Sequence, residues 1–204
     1  MQEIDRDAFW RGLRARHPRF RQAVVADART TALHRGERHA FESSLDTLTQ
    51  VLRLAWTSDA FLAQMLYRLK ARLQALGIPL LPRLAHKLAI VIAQVSIGDP
   101  VVVEPGLYVV HGHVVADGLV EIGSGTVIAP YVTIGLRAGD VKGATIERNV
   151  SIGTGAKLIG PVRIGEGARI GANAVVVKDV PPGATVVGAP ARELADAAGT
   201  SIGP

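Results

Sequence analysis

From about residue 95 onward an aliphatic side chain returns every six positions, and that beat leaves the chain few folds to choose from. Ile122, Ile128, Ile134, Ile146, Ile152, Leu158, Ile164, Ile170 and Val176 share one grid, which only Asp140 misses. A helix face repeats at about 3.6 residues and a strand face at 2, so neither regular element sets this period. Glycine follows many of these residues, at 123, 135, 153, 165 and 171. A second small or apolar residue stands four places after each aliphatic one: Thr126, Val132, Val150, Ala156, Val162, Ala168, Ala174 and Val180. An earlier run, Ile97, Val103, Val109 and Val115, keeps the beat on a grid shifted by one residue.

A unit of this kind is one flat side of a triangular coil. The aliphatic residue points into the coil, the small residue four places on fits the tight corner, and glycine or asparagine accepts the turn. Three units close a coil of about 18 residues, and stacked coils bury a continuous aliphatic column. Each short strand then pairs in parallel with the one above it, which satisfies the backbone.

Residues 1–94 follow a different period. DAFLAQMLYRLKARLQAL places Phe61, Leu62, Met65, Leu66, Leu69, Leu73 and Leu76 on one helical stripe, which is expected to be the buried face. Ser58 and Asp59 stand at its cap, Gly77 closes it, and Pro79 and Pro82 precede a further helix in PRLAHKLAIVIAQ. Further helices are expected near 5–15, 19–34 and 43–56. The fold class is therefore α+β, with an α-helical domain over 1–94, a β-helix over 95–192 and a short tail over 193–204.

Composition agrees with stacked aliphatics and many turns: aromatics are 4%, with 22 Gly and 11 Pro. With no cysteine there is neither a disulfide framework nor a thiolate metal site. MQEIDRD is acidic and does not read as a secretory signal, and LAIVIAQVSIG is too short to span a bilayer, so a cytoplasmic protein without membrane attachment is expected. Residues 1–95 carry 15 Arg and Lys against 8 Asp and Glu, but no nucleic-acid motif accompanies the charge, so no nucleic-acid partner is expected.

QVSIGDP, PGLYVVHG, VTIG, the run from VSIGTGAKLIG to VVVKDVPP, and TVVGAPAR together resemble the hexapeptide-repeat acyltransferases, and among these most nearly the serine O-acetyltransferases. The resemblance covers residues 58–192 and implies that the β-helix is left-handed and parallel. It also implies acetyl transfer from acetyl-CoA, as co-substrate, to a hydroxyl. The position matching the family's general base is His111 in YVVHGH. An alcohol is a poor nucleophile until a base takes its proton, and an imidazole suits that task near neutral pH. Asp59 matches an acceptor-contacting aspartate on a helix before the β-helix, with Asp117 as a second acidic candidate. His113 falls four after Val109, where it is expected to fill a corner slot.

Two positions differ from the family pattern. Val110 stands where the family has an aspartate before its histidine, and LRAGDVKGAT, the counterpart of a histidine-bearing loop, holds Arg137, Asp140 and Lys142 but no histidine. The resemblance places the coenzyme's pantetheine arm in a groove between neighbouring β-helices, at positions matching Leu136, Thr154 and Ala172. Their spacing of 18 is expected to put all three on one face. Lys157, Arg169, Lys178 and Arg192 are candidate partners for the coenzyme's phosphates. No metal is expected: a γ-carbonic anhydrase would need three histidine ligands, and the β-helix has only His111 and His113. The resemblance further implies a homotrimer, with a hexamer as an open alternative. The chain ends GTSIGP, without the isoleucine-ended tail that docks cysteine synthase, so that partnership is not expected. A small hydroxyl acceptor, serine or serine-like, is the leading reading. A sugar or biosynthetic intermediate remains the alternative acceptor, and a scaffold without catalysis the alternative role.

Overall fold

The computed structural model describes residues 6–194. Five helices come first: α1 (Arg6–Ala15), α2 (Phe20–His34), α3 (Ser44–Thr57), α4 (Asp59–Ala75) and α5 (Leu81–Ala93). Ser43 and Ser58 cap α3 and α4, each accepting a hydrogen bond from the backbone N–H three residues on. Gln94 ends α5 in the left-handed conformation, and β1 (Val95–Ile97) follows at once. The tail expected over 193–204 lies, from residue 195 on, outside the described residues. Among the described residues no helix is long and apolar enough to cross a membrane.

The rest is a parallel β-helix of about five coils with three faces. The first sheet stacks β1, β4 (Val114–Ala116), β7 (Thr133–Gly135), β10 (Lys157–Ile159) and β13 (Val175–Val176). The second stacks β2 (Val102–Val103), β5 (Leu119–Ile122), β8 (Lys142–Ile146) and β11 (Arg163–Ile164). The third stacks β3 (Tyr108–Val109), β6 (Val127–Ile128), β9 (Ser151–Ile152), β12 (Arg169–Ile170) and β14 (Thr185–Val187), closed by the antiparallel β15 (Arg192–Glu193). Every grid aliphatic from Ile122 to Val176 is at most 3% exposed, and the residue four places after each is at most 5% exposed, save Ala138, which is exposed.

Two departures from the six-residue beat shape the corners. Between the first two coils the partners Ile97↔Ala116, Val103↔Ile122 and Val109↔Ile128 are 19 apart, so one extra residue lies within 110–113. That residue returns the chain to the main grid at Ala116. The expected inward Val115 is therefore 43% exposed, and Val114, not His113, fills the interior corner slot. The second departure is an insertion of one full unit. Ile122↔Ile146, Ile128↔Ile152 and Ile134↔Leu158 are 24 apart because residues 136–141 leave the coil as a loop. Joining Gly135 to Lys142 across the loop gives IGKGAT, a sixth-period unit like IGTGAK and IGEGAR, with Ala144 (0% exposed) in its corner slot. Asp140 misses the grid because it belongs to this insertion, and the beat resumes in phase because the insertion is six long.

Among the described residues the first coil has no strand above it, and the helices supply the missing partners. The Gln64 amide donates to Leu107 O and accepts from Val109 N, at 3.0 and 2.8 Å, standing in for a strand along β3. Tyr67 Oη donates to Val101 O, Arg68 to Val103 O and Glu104 O, and Lys70 Nζ to Ile97 O. Asp27 of α2 accepts from Gly106 N and Leu107 N and pairs with Arg68, both side chains almost fully buried. The expected apolar stripe of α4 is therefore only part of its buried face: Phe61 is buried and Met65 and Leu66 pack against the core. Gln64, Tyr67, Arg68 and Lys70 point into the protein, while Leu69 and Leu76 are exposed, because capping a coil calls for hydrogen-bonding groups.

Candidate active-site corner

His111 lies on the corner joining the third sheet to the first. The backbone steps Val110 N→Ile128 O, Ala129 N→Ile152 O and Gly153 N→Ile170 O put His111, Pro130, Thr154 and Ala172 in one column down successive coils. His111 is exposed at its head. The next column is His113, Tyr131, Gly155 and Asn173, all with left-handed φ of 54°, 64°, 75° and 56°. The His113 and Tyr131 rings stack at 4.7 Å and 26°. Lys157 reaches across the same corner, its Nζ donating to Tyr131 O and Gly155 O.

The end of α5 clamps this corner. His113 N donates to Ala93 O at 2.9 Å and Val114 N to Gln94 O at 3.1 Å. Gly112, with φ 101°, passes so close that a Cβ would sit 2.2 Å from Ala93 O. Glycine is thus required beside His111 both by conformation and by space. Gln64 fixes the strand leading into the corner, and Asp59 is exposed in the first turn of that same helix, α4.

The other site candidates are divided between corners. Thr154, Ala172 and Lys157 share the His111 corner, but Leu136 does not. It follows β7 of the first sheet and stacks over Gly118 on the corner between first and second sheets. The spacing of 18 misleads because the looped-out residues fall inside the count; the coil position above Thr154 is Pro130. Asp117, Arg137 and Lys178 are also on this loop-bearing corner. Asp117 accepts from Gly118 N, and Arg137 donates to Val177 O at 2.8 Å, lying so closely over Gly160 that a Cβ there would be 2.9 Å from it. Arg169 is exposed at the start of β12, three residues before Ala172, and Arg192 lies exposed on β15, donating to Ala191 O. Among the described residues no group of three His, Cys, Asp or Glu side chains gathers to hold a metal.

Sequence reasoning missed the ring stack. Its signal was available: aligned coil by coil, Tyr131 occupies the slot that lower coils give to Gly155 and Asn173. A cleft of about 800 Å³ lined by Arg19, Arg21 and Arg29 lies instead at the remaining corner, beside Gly106 and Gly125.

A family model described as bacterial transferase hexapeptide (six repeats) matches residues 143–178. Serine acetyltransferase of Mycobacterium tuberculosis is 38% identical over 141 residues, covering 68% of this chain and 62% of that protein, so the chain spans less than two thirds of that relative. Serine acetyltransferase of Helicobacter pylori (strain J99) is 37% identical over 136 residues, covering 65% of this chain and 79% of that protein. Among solved structures, Neisseria gonorrhoeae serine acetyltransferase in complex with serine superposes with a TM-score of 0.73 at 27% identity, covering 86% of this chain and 69% of that one.

Proposed function

The chain belongs to the serine acetyltransferase family, and on that premise we propose that it transfers an acetyl group from acetyl-CoA to the hydroxyl of serine or a serine-like small acceptor. The observation that carries the reading is His111: exposed, held by α5 and Gln64, and heading a column of small corner residues along which a pantetheine arm can run. His111 takes the proton of the acceptor hydroxyl as its oxygen attacks the thioester carbonyl. The new C–O bond forms, the C–S bond breaks, and the proton passes from His111 to the departing thiolate. Asp59 and Asp117 hold the acceptor, with Arg137 on the loop. Thr154 and Ala172 line the pantetheine path, with Leu136 offered from a neighbouring β-helix. Lys157, Arg169, Lys178 and Arg192 are the cations available to the phosphates. The assembly is a homotrimer in the cytoplasm, acting on small molecules without nucleic acid, membrane or cysteine synthase as partner.

The test is release of free CoA thiol from acetyl-CoA with a panel of hydroxyl acceptors that includes serine, run beside a thermal melt. A ligand at about 100 times its Kd stabilises the folded state by about 2.7 kcal/mol, which is a readable rise in Tm. Thiol release with an acceptor and a raised Tm support the reading. Neither thiol release nor a shift in Tm leaves the scaffold in its place.

A further inference from the structure

Five arginines of the helical layer, Arg16, Arg35, Arg38, Arg53 and Arg68, are each paired with a carboxylate. Arg19, Arg21 and Arg29 are not. Among the described residues none of the three meets an acidic side chain, and Arg29 only lies over the Phe41 ring, 5.7 Å from its centroid. All three line the cleft of about 800 Å³ between α2, α3 and the corner that joins the second sheet to the third. That volume is of the size that small-molecule sites have.

The positive charge of the cleft is left uncompensated. α2 has no acidic residue in its first turn, and no Asp or Glu lines the cavity. The acids nearest in sequence are already engaged. Arg68 and the N–H groups of Gly106 and Leu107 hold Asp27, Arg38 holds Asp46, and Ser124 N and Arg148 hold Glu104. Gln22 and Ser124 add an amide and a hydroxyl whose side chains bond to nothing else among the described residues.

The planar fork of arginine binds phosphate and carboxylate oxygens two at a time. On α2 the helical rise sets Arg21 and Arg29 about 12 Å apart along the axis, so one small monoanion does not serve both. Three positive charges call for several negative ones in a compact molecule. Two or three phosphates supply them, each with strong acceptor oxygens for the guanidinium, amide and hydroxyl donors. This corner is also the one that the acetyl-transfer site leaves free. His111 stands where the third sheet meets the first, and Leu136 and Arg137 where the first meets the second.

We propose that the cleft binds a small molecule carrying two or more phosphate groups, at a site separate from that of acetyl-CoA. Arg19, Arg21 and Arg29 take the phosphates, with Gln22 and Ser124 donating from the rim. The ligand grips α2 beside Asp27, and Asp27 holds the first coil, so binding stiffens the joint between the helices and the β-helix.

The experiment is calorimetric titration of the native chain with sodium tripolyphosphate at low ionic strength, where charge pairing is least screened. It is repeated with orthophosphate, citrate and a hexaglutamate peptide. Tripolyphosphate is expected to bind about tenfold or more tighter than orthophosphate and to raise Tm. Arg21→Gln and Arg29→Gln should each weaken it about tenfold, the scale of a lost hydrogen bond to a charged group. Their Tm without ligand should stay near the native value, because both side chains are exposed. Arg83→Gln, which removes an exposed charge on α5 outside the cleft, should change nothing. Saturating acetyl-CoA should leave the tripolyphosphate affinity as it was. Absence of binding at millimolar concentration overturns the proposal. So does tighter binding of citrate or of the peptide, which makes the cleft a site for carboxylates or for an acidic protein segment. A loss in Arg83→Gln equal to that in the cleft variants reduces the effect to diffuse charge, and displacement by acetyl-CoA gives the arginines to the coenzyme; either result also overturns it.

Discussion

At position 112 the backbone of α5 leaves room for a hydrogen and nothing larger, and that crowding fixes where the neighbouring imidazole stands. His111 itself is exposed and takes no part in the core, so its chemistry and its contribution to stability are separable. His111→Ala is expected to lower kcat by about 10²–10⁴, the usual contribution of a positioned base. Its Tm and its acetyl-CoA-induced shift should match those of the native chain; a variant that keeps native turnover removes His111 from the mechanism. Gly112→Ala should behave differently, lowering Tm and activity together as Ala93 is pushed away. The buried Asp27–Arg68 pair sets a third pattern. Asp27 satisfies two backbone N–H groups as well as the guanidinium, so Asp27→Ala strands several buried groups at once. Denaturant unfolding should show a loss of about 3–5 kcal/mol.

The elements were legible in the sequence to different depths, for reasons tied to where their partners lie. The β-helix interior is dictated locally: each grid residue meets others one coil away, so the six-residue beat identified Ile122, Ile128 and their successors as core. Caps and corners depend on distant partners. Gln64 meets Leu107 and Val109, and Lys70 meets Ile97, contacts that no local period records, so the apolar stripe of α4 marked Phe61 correctly but missed the polar face that caps the coil. Leu136 was misplaced because spacing counts residues whether or not they stay in the coil. The loop that caused this gives its own prediction. Deleting residues 136–141 restores IGKGAT with Ala144 in its slot, so the shortened chain should fold with its coil register intact, read as a cooperative melt near the native Tm. Acetyl transfer should fall, since Leu136 and Arg137 leave with the loop; loss of cooperative folding would mean that the loop also secures the stack. His17, which follows α1, makes that end of the helical layer sensitive to pH. Burial first, then the charges of Arg68 and Lys70, hold its pKa at about 4, below the ordinary 6.5. The unfolded chain therefore binds the proton first. The stability is fully present above about 6.5 and is lost as pH falls towards 4. His86 is lowered in the same direction by burial. Tm should decline across that interval, and His17→Phe should flatten the decline; an unchanged slope would assign it to other groups.

For the whole molecule, the division of the candidate site between two corners is the decisive feature. One β-helix carries His111, Thr154 and Ala172 on one edge and Leu136, Arg137 and Lys178 on another, and no fold of the single chain brings the edges together. A ring of identical chains does, since each copy then presents its histidine corner to the loop-bearing corner of the next. The exposed apolar residues of α5, Leu81, Leu84, Leu88 and Val91, are what such an assembly has to cover. In solution the mass should be three times the 21.5 kDa of the chain, or twice that again if two trimers join. Size alone does not test sharing, but subunit mixing does. A chain carrying His111→Ala and a second carrying Leu136→Glu with Lys178→Glu should each be inactive as pure trimers. Refolded together in equal amounts, they should place an intact histidine corner against an intact loop corner at about a quarter of the sites in a random cyclic ring. Recovery of about that fraction of native thiol release establishes a site built between chains. Mixed trimers that stay silent, while mass measurement shows that they have formed, mean that each site is completed within its own chain.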